Sequence, residues 1–291
     1  MLCFGEVLWD VLPHGRFLGG APLNVAYHLT QLDCSATFVS AVGGDALGRE
    51  ALAAIAASGV GVAAVSVHSV LPTGTAHVQL DAHGAATFQI SQPVAWDEIA
   101  VDAALRGPPP AAIVFGSLAL RSQANRRALT RLLDAAPHAW IVCDLNLRAP
   151  FDALVPLATL LARAHLLKLN ADEARRLCRR SAYATDWSAM SAELSARYHG
   201  ADIAITLGGD GAGFRTGSTW CHVAAPAVLV RDTIGAGDSF TAALIAGRLR
   251  AMSAAASLDW PRILRAACAL GGFVASQDGA QPAHGDFQVP W

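Results

Sequence analysis

The chain has 291 residues, 53% of them hydrophobic and 15% charged, with a formal net charge of −2. That balance excludes a disordered polypeptide and gives no basic footprint for nucleic acid. It suits one large α/β domain over residues 1–291.

The elements follow in order. CFGEVL (3–8) reads as a first strand, with Asp10 just beyond it. The opening MLCFGEVLWDVLP has no basic region of a signal peptide, and no later run of 18 uncharged apolar residues predicts a membrane span. A cytoplasmic address is expected. Pro22–Leu32 has helical spacing, ATFVSAV (36–42) is a strand, and Leu47–Ala57 is an alanine-rich helix. Thr75–Leu80 and Ala85–Ile90 are short strand-like runs joined by Asp81-Ala-His-Gly84, which predicts a β-hairpin. An antiparallel piece inserted into an α/β pattern is a candidate lid.

After a stiff turn at 106–111 come a strand AIVFGS (112–117), a helix Gln123–Ala135, a strand WIVCDLN (140–146) and a helix from Asp152. Then follow a strand HLLKLN (165–170), a helix from Ala171, a helix around Met190–Tyr198 and a strand DIAITLGG (202–209). GFRTGSTWCHV predicts a second hairpin. Apolar strands alternating with helices predict a mostly parallel sheet covered on both faces. Six cysteines lie scattered with no CxxC pair, which argues against a disulfide framework or a structural metal.

Two glycines and an acid stand at the mouth of the next helix, in DTIGAGDSFTAALIAG (232–247). A helix N-terminus presents unpaired backbone N–H groups and partial positive charge, and glycines let an anion approach them. Asp238 would then lie where a phosphate arrives, expected ionised and able to take a proton from a hydroxyl. The bland alternative is that Asp232 or Asp238 merely caps the helix; the turn alone fits either. A P-loop is excluded, because the chain's single lysine, Lys168, lies in LLKLN with no glycine loop before it. HRD and DFG are absent, which excludes a protein kinase. GGDGAG (208–213) follows a strand but lacks GxGxxG spacing and does not lead into a helix. Near the N-terminus, GGAPLNVAYHL (19–29) and VGGDALGRE (42–50) are further glycine turns. Asp10, Gly20 and Asn24 could face the crevice beyond the strand ends; taken singly, Asp10 is better explained as part of a turn and Asn24 as an exposed helix residue.

Together these segments resemble the PfkB, or ribokinase, family of carbohydrate kinases. DTIGAGDSFTAALI (232–245) is similar to its C-terminal signature, GGAPLNVA (19–26) with VGGDALG (42–48) to its N-terminal one, Asn170-Ala-Asp-Glu173 to its NxxE motif, and GAQP (279–282) to its usual ending. The resemblance implies an α/β ribokinase-like three-layer sandwich with a small β lid, formed mainly by about 9–18 and 70–95. It implies an ATP-dependent kinase using Mg²⁺, with K⁺ as an optional monovalent cation, acting on a small sugar without nucleic acid or membrane, and a homodimer through the lid in some members. Asp238 would be the base, and the N–H groups of Gly235, Ala236 and Gly237 the anion hole. Asp10, Gly20, Asn24 and Arg148 would hold the sugar. Asn170, Thr206, Gly208, Gly211 and Cys268 would bind the nucleotide, and Glu173 the Mg²⁺ through water. Asp232, Ile234, Gln277 and Gly279 would offer oxygens to a monovalent cation. GEVLWDVLP, QPVAWDEI (92–99) and Arg148 in DLNLRAPF look most like the fructokinase branch, with 2-keto-3-deoxygluconate kinase or ribokinase as the alternative and a non-catalytic sensor as a third. Arg148 could instead form a surface salt bridge. Gln89 and Trp96 could contact sugar or simply pack. Asp33 departs from the family's usual small residue and is expected to tolerate a left-handed helix end.

Overall fold

The computed structural model describes residues 1–12, 15–80 and 86–291. In chain order the elements are β1 (Leu2–Phe4), β2 (Leu8–Leu12), β3 (Gly15–Gly19), α1 (Ala21–Gln31), β4 (Thr37–Gly43), α2 (Ala46–Ala57), β5 (Gly61–His68), β6 (Gly74–Leu80), β7 (Ala86–Ile90), α3 (Asp102–Leu105) and β8 (Ala112–Gly116). They continue with α4 (Gln123–Ala135), β9 (Trp140–Asp144), α5 (Ala158–Leu161), β10 (Leu166–Asn170), α6 (Ala171–Leu177), α7 (Trp187–Arg197), β11 (Asp202–Thr206), β12 (Ala212–Thr216), β13 (Thr219–Val223), α8 (Ala236–Ser253) and α9 (Trp260–Ala275).

Nine strands form one sheet in the order β13-β12-β11-β10-β9-β8-β1-β4-β5. From β11 through to β5 every pairing is parallel, and only the β11-β12-β13 edge is antiparallel. Parallel strands need helical crossovers, so both faces are covered. One face buries Phe115, Leu129, Ile141 and Leu194 with α3 to α7. The other buries Phe38, Leu244 and Leu270 with α1, α2, α8 and α9. Helix α8 packs between α1 and α9, which explains why Phe240 to Gly247 is buried all round. The architecture is the mixed α/β sandwich expected from the alternation. A second sheet, β3-β2-β6-β7, forms the smaller lid. The expected hairpin is there as antiparallel β6 and β7; its connecting residues 81–84 lie outside the described residues.

Three expectations are corrected. CFGEVL is two strands in two sheets, because the chain leaves the large sheet at Gly5, buries Glu6, and enters the lid as β2. Asp10 therefore sits within β2 rather than after the first strand. The helix expected from Asp152 does not start there: Pro156 opens a short 3₁₀ turn at Val155–Leu157 and only α5 follows, since proline cannot donate within a helix. Strand β5 went unread, because its alternation is blurred by alanine. Asp33 does take the left-handed conformation expected of it, at φ 59°.

Trp96, a candidate sugar contact, is a packing residue. It is fully buried and lies beneath the guanidinium of Arg121 at 4.0 Å from ring centre. Arg121 is gripped by both oxygens of Asp97 at 2.8 and 2.9 Å. Asn125 of α4 secures this segment, donating to the carbonyls of Trp96 and Ala119 and accepting from the Ile99 N–H. Replacing Asn125 with leucine strands three buried backbone groups, at about 1–3 kcal/mol each. Urea unfolding of Asn125→Leu is expected to show a loss of at least about 3 kcal/mol; a change below about 1 kcal/mol would show that the segment is held by packing alone.

Candidate active site

Helix α8 starts at Ala236, and its cap is Gly235, in the left-handed conformation at φ 79° with no side-chain cap bond. Neither Asp232 nor Asp238 caps it, so the bland reading of the acid falls away. The two glycines have separate reasons. A side chain on Gly235 would meet the Ala280 backbone at 2.7 Å, and one on Gly237 would meet the Lys168 ammonium at 2.9 Å. The turn is bare so that a C-terminal loop can close against one residue and a buried cation against the other. Of the three amides in the expected anion hole, that of Ala236 donates to the Thr233 carbonyl at 3.3 Å, a long bond that an anion could outcompete.

Asp238 stands in the first turn of α8, 8% exposed. Its Oδ2 accepts from Asn24 Nδ2 at 2.8 Å, and Asn24 Oδ1 accepts from Gln281 Nε2 at 2.8 Å. Asn24 is thus committed at both ends of its amide. Burial, helped by the like charge of Asp144, pushes the Asp238 carboxyl up to about 7, against the pull of Lys168 and Asn24. The sequence suggested an acid fully ionised at neutral pH; its interior position instead poises it near neutrality, the range suited to a general base.

Behind the turn lies a second layer. Asp144 ends β9 and Lys168 faces it in register on β10, with Nζ to Oδ1 at 2.9 Å. The other Asp144 oxygen accepts from the Thr241 hydroxyl of α8 at 2.7 Å. Toward the lid, Glu6 is 3% exposed, with Oε1 accepting from the Ala21 N–H at 3.3 Å and Oε2 buried without a partner among the described residues. Burial raises the Glu6 carboxyl, and burial raises that of Asp10 to about 6; in both cases the nearby Arg148 charge opposes the shift. The Asp10 carboxylate overlies Gly19, where a side chain would stand 2.8 Å from its Oδ2. Gly20 joins β3 to α1 as the cap of that helix. Arg148 is exposed, its charge acts on both acids, and it forms no ion pair among the described residues.

The NxxE segment forms a capping box at the start of α6. Asn170 Oδ1 accepts from the Glu173 N–H, and Glu173 Oε2 from the Asn170 N–H, while Glu173 Oε1 takes the Leu147 N–H at 2.6 Å. With both oxygens so engaged, Glu173 fits a water-mediated metal role better than a direct bond. Asp232 binds two loops: Oδ1 accepts from the Ile234 N–H at 2.9 Å and Oδ2 from the Gly279 N–H at 3.2 Å. The Gln277 amide reaches Ser276. Thr206 ends β11 and donates to the Leu169 carbonyl, Gly208 and Gly211 form the turn after it, and Cys268 lies buried on α9, its thiol pushed up to about 11 by burial. Gln89 lies exposed on lid strand β7. Among the described residues no cluster of three or more His, Cys, Asp or Glu is set to hold a metal, and no helix is long and apolar enough to cross a membrane.

Several site residues were missed from sequence: Glu6, Asp144, Lys168, Thr241, Gln281, His28 and His284. Asp144 carried a usable signal, a carboxylate at the C-terminal end of an apolar strand. The histidines carried none. The carbonyl of Ala280 can only accept, so His28 Nε2 bears the proton in their 2.9 Å contact; His28 Nδ1 then accepts from His284 Nε2 at 3.0 Å. The pair ties α1 to the loop that closes on Gly235.

A buried acid beside an open helix end, at the C-terminal edge of a parallel sheet and under a small lid, is suited to moving a phosphoryl group onto an alcohol. This phosphotransferase class is borne out by comparison. The model of the pfkB family carbohydrate kinase matches residues 14–284, and the chain belongs to that family. It is 31% identical over 258 residues to a fructokinase of Klebsiella pneumoniae (84% of this chain, 82% of that protein) and 29% identical over 308 residues to fructokinase-2 of Solanum habrochaites (97% and 92%). Among solved structures, a fructokinase with bound ATP from Xylella fastidiosa superposes with a TM-score of 0.82 at 23% identity, covering 97% of this chain and 94% of that one. Aminoimidazole riboside kinase from Salmonella enterica, complexed with aminoimidazole riboside and an ATP analog, does so with a TM-score of 0.77 at 25% identity (97% and 95%).

The buried histidine pair has a consequence for stability. Burial lowers His28 from 6.5 to about 4, so the unfolded chain binds a proton below pH 6.5 that the native fold refuses. That contribution is complete above pH 6.5 and is lost as pH falls toward 4, on the order of 3 kcal/mol in all. Urea unfolding at pH 7 and 4.5 is expected to show a smaller acid loss in His28→Gln than in the parent chain; equal losses would mean that His28 does not titrate against the fold.

Proposed function

We propose that this chain is an ATP-dependent sugar kinase that phosphorylates a primary hydroxyl, with fructose as the acceptor and fructose 6-phosphate as the product. The observation that carries the reading is Asp238, buried at the mouth of α8 and oriented by Asn24. Asn24 engages one carboxylate oxygen, and the other is the atom that would take the hydroxyl proton. The acceptor would lie between the lid and this acid, against Asp10, Gly20 and Arg148. The γ-phosphoryl would pass in line to its oxygen while the N–H groups of Gly235, Ala236 and Gly237 meet the developing charge. The ATP would run along the strand ends past Asn170 and Thr206 toward Gly208, Gly211 and Cys268. Mg²⁺ would sit on ATP phosphates with Glu173 acting through water and would neutralise phosphate charge. Asp232 pins together the two loops whose carbonyl groups, from Asp232, Ile234, Gln277 and Gly279, would cradle K⁺.

Fructose is favoured by the fructokinase relatives. A second reading keeps the chemistry and exchanges the acceptor for a riboside or a 2-keto-3-deoxy sugar acid. The likeness to the riboside kinase supports the former, and Arg148 at the acceptor end, whose guanidinium could pair with a carboxylate, the latter.

ADP release measured with fructose, ribose, 2-keto-3-deoxygluconate and a nucleoside, each with and without K⁺, is expected to show the highest kcat/KM for fructose. A higher value for another acceptor would overturn the fructose assignment while keeping the kinase. Asp238→Asn is expected to lower kcat at least about 10²-fold with ATP binding retained; near-normal turnover would refute Asp238 as base. Because the carboxylate is the working form and is raised to about 7, kcat should climb as pH rises through neutrality.

A further inference from the structure

The chain's only lysine, Lys168, is nearly fully buried, and its ammonium stands 2.9 Å from where a side chain on Gly237 would begin. Its place is over-determined. Asp144 holds Nζ at 2.9 Å, and Thr241, one turn beyond Gly237, holds the other Asp144 oxygen at 2.7 Å while lying 3.0 Å from the Gly237 carbonyl. Strands β9 and β10 and helix α8 thus converge on one fixed positive charge behind the turn. A surface lysine is a mobile, hydrated charge; one held this way is preorganised and little screened. A buried ion pair of this kind is weak as a device for stability, so its position invites a functional account.

We propose that Lys168 is a positioning residue for phosphoryl transfer: its fixed charge favours the ionised form of Asp238 and adds positive potential behind the glycine turn where the transferred phosphate must sit. This rests on Asp238 as the base. The charged or polar groups facing Asp238 are Asp144 from β9, Lys168 from β10, Glu6 from the segment before β2 and Asn24 from α1. Glu173 on α6 also faces Lys168. Among these only Lys168 is a cation, so its loss leaves Asp238 among like charges.

Two variants separate the charge from the packing. Lys168→Met is expected to move the acid limb of the kcat–pH profile up by at least about one unit, since Asp238 then protonates more readily. Lys168→Met/Asp144→Asn removes both charges; its limb should return to the parent position or below, while its plateau kcat stays at least about tenfold down because the turn has lost its cation. A merely structural Lys168 would lower stability and activity without moving the limb, and an unmoved limb in a folded Lys168→Met protein overturns the proposal.

The lone lysine offers a readout free of turnover. An untagged chain labelled with ¹⁵N at the lysine Nζ gives a single ammonium resonance. It is expected to shift with a midpoint near that of the kcat limb, and to lose that step in Asp238→Asn. A flat resonance across pH 5.5–8.5 overturns the coupling even if the variants fail to fold. If instead the step is present but Asp238→Asn turns over normally, the coupling stands and the assignment of Asp238 as base is what fails.

Discussion

Burying a carboxylate at the mouth of α8 is the constraint on which the rest of this site depends. An isolated charge in that position would be costly, and the fold meets the cost with partners drawn from far along the chain. Asn24 arrives from α1, 214 residues away, and Gln281 from the C-terminal loop, 257 residues from Asn24. Lys168 arrives from the middle of the sheet. What brings them together is the parallel sheet and the packing of α8 between α1 and α9.

The glycines of the turn take on a different meaning in this setting. A bare turn was expected to let phosphate approach the backbone. Their inner faces turn out to be as demanding as their outer ones. Gly235 admits the backbone of Ala280, and with it the loop that His28 and His284 fasten to α1. Gly237 admits an ammonium. The helix end is therefore exposed to ligand on one side and pressed by loop and cation on the other. That fixes the positions of its amides in advance, the preorganisation the proposed phosphoryl transfer would need.

The lid stands in the same relation to the body. Chain passes from the large sheet to the small one at Gly5–Val7 and returns at Gly20, and Glu6 is buried in that junction. Arg148, exposed on the loop after β9, is near enough for its charge to act on both Glu6 and Asp10. Two buried or part-buried acids and an arginine of the body thus lie within electrostatic reach of one another at the junction of lid and body.

Local chemistry in the sequence was enough for the architecture and for the outline of the site. The period of apolar residues in AIVFGS, WIVCDLN and HLLKLN set a buried parallel sheet, because a strand covered on both faces must be apolar on both. The glycine turn and Asp238 were legible because helix ends have short-range signatures, whereas Asn24 and the NxxE segment stood out only through the family resemblance. Two strands hidden in CFGEVL and its continuation, and the break at Pro156, were misread where one run served two sheets or a proline stopped a helix. By sequence Trp96 suits sugar contact and packing equally, and it is core. What tertiary structure alone decided was which charges meet. Lys168 counted against a P-loop because no glycine loop precedes it, yet folding carries it beneath Gly237, 69 residues later in DTIGAGD. Sequence spacing cannot report such a meeting, since the distance between strand β10 and the start of α8 is set by sheet order and helix packing, not by the chain between them.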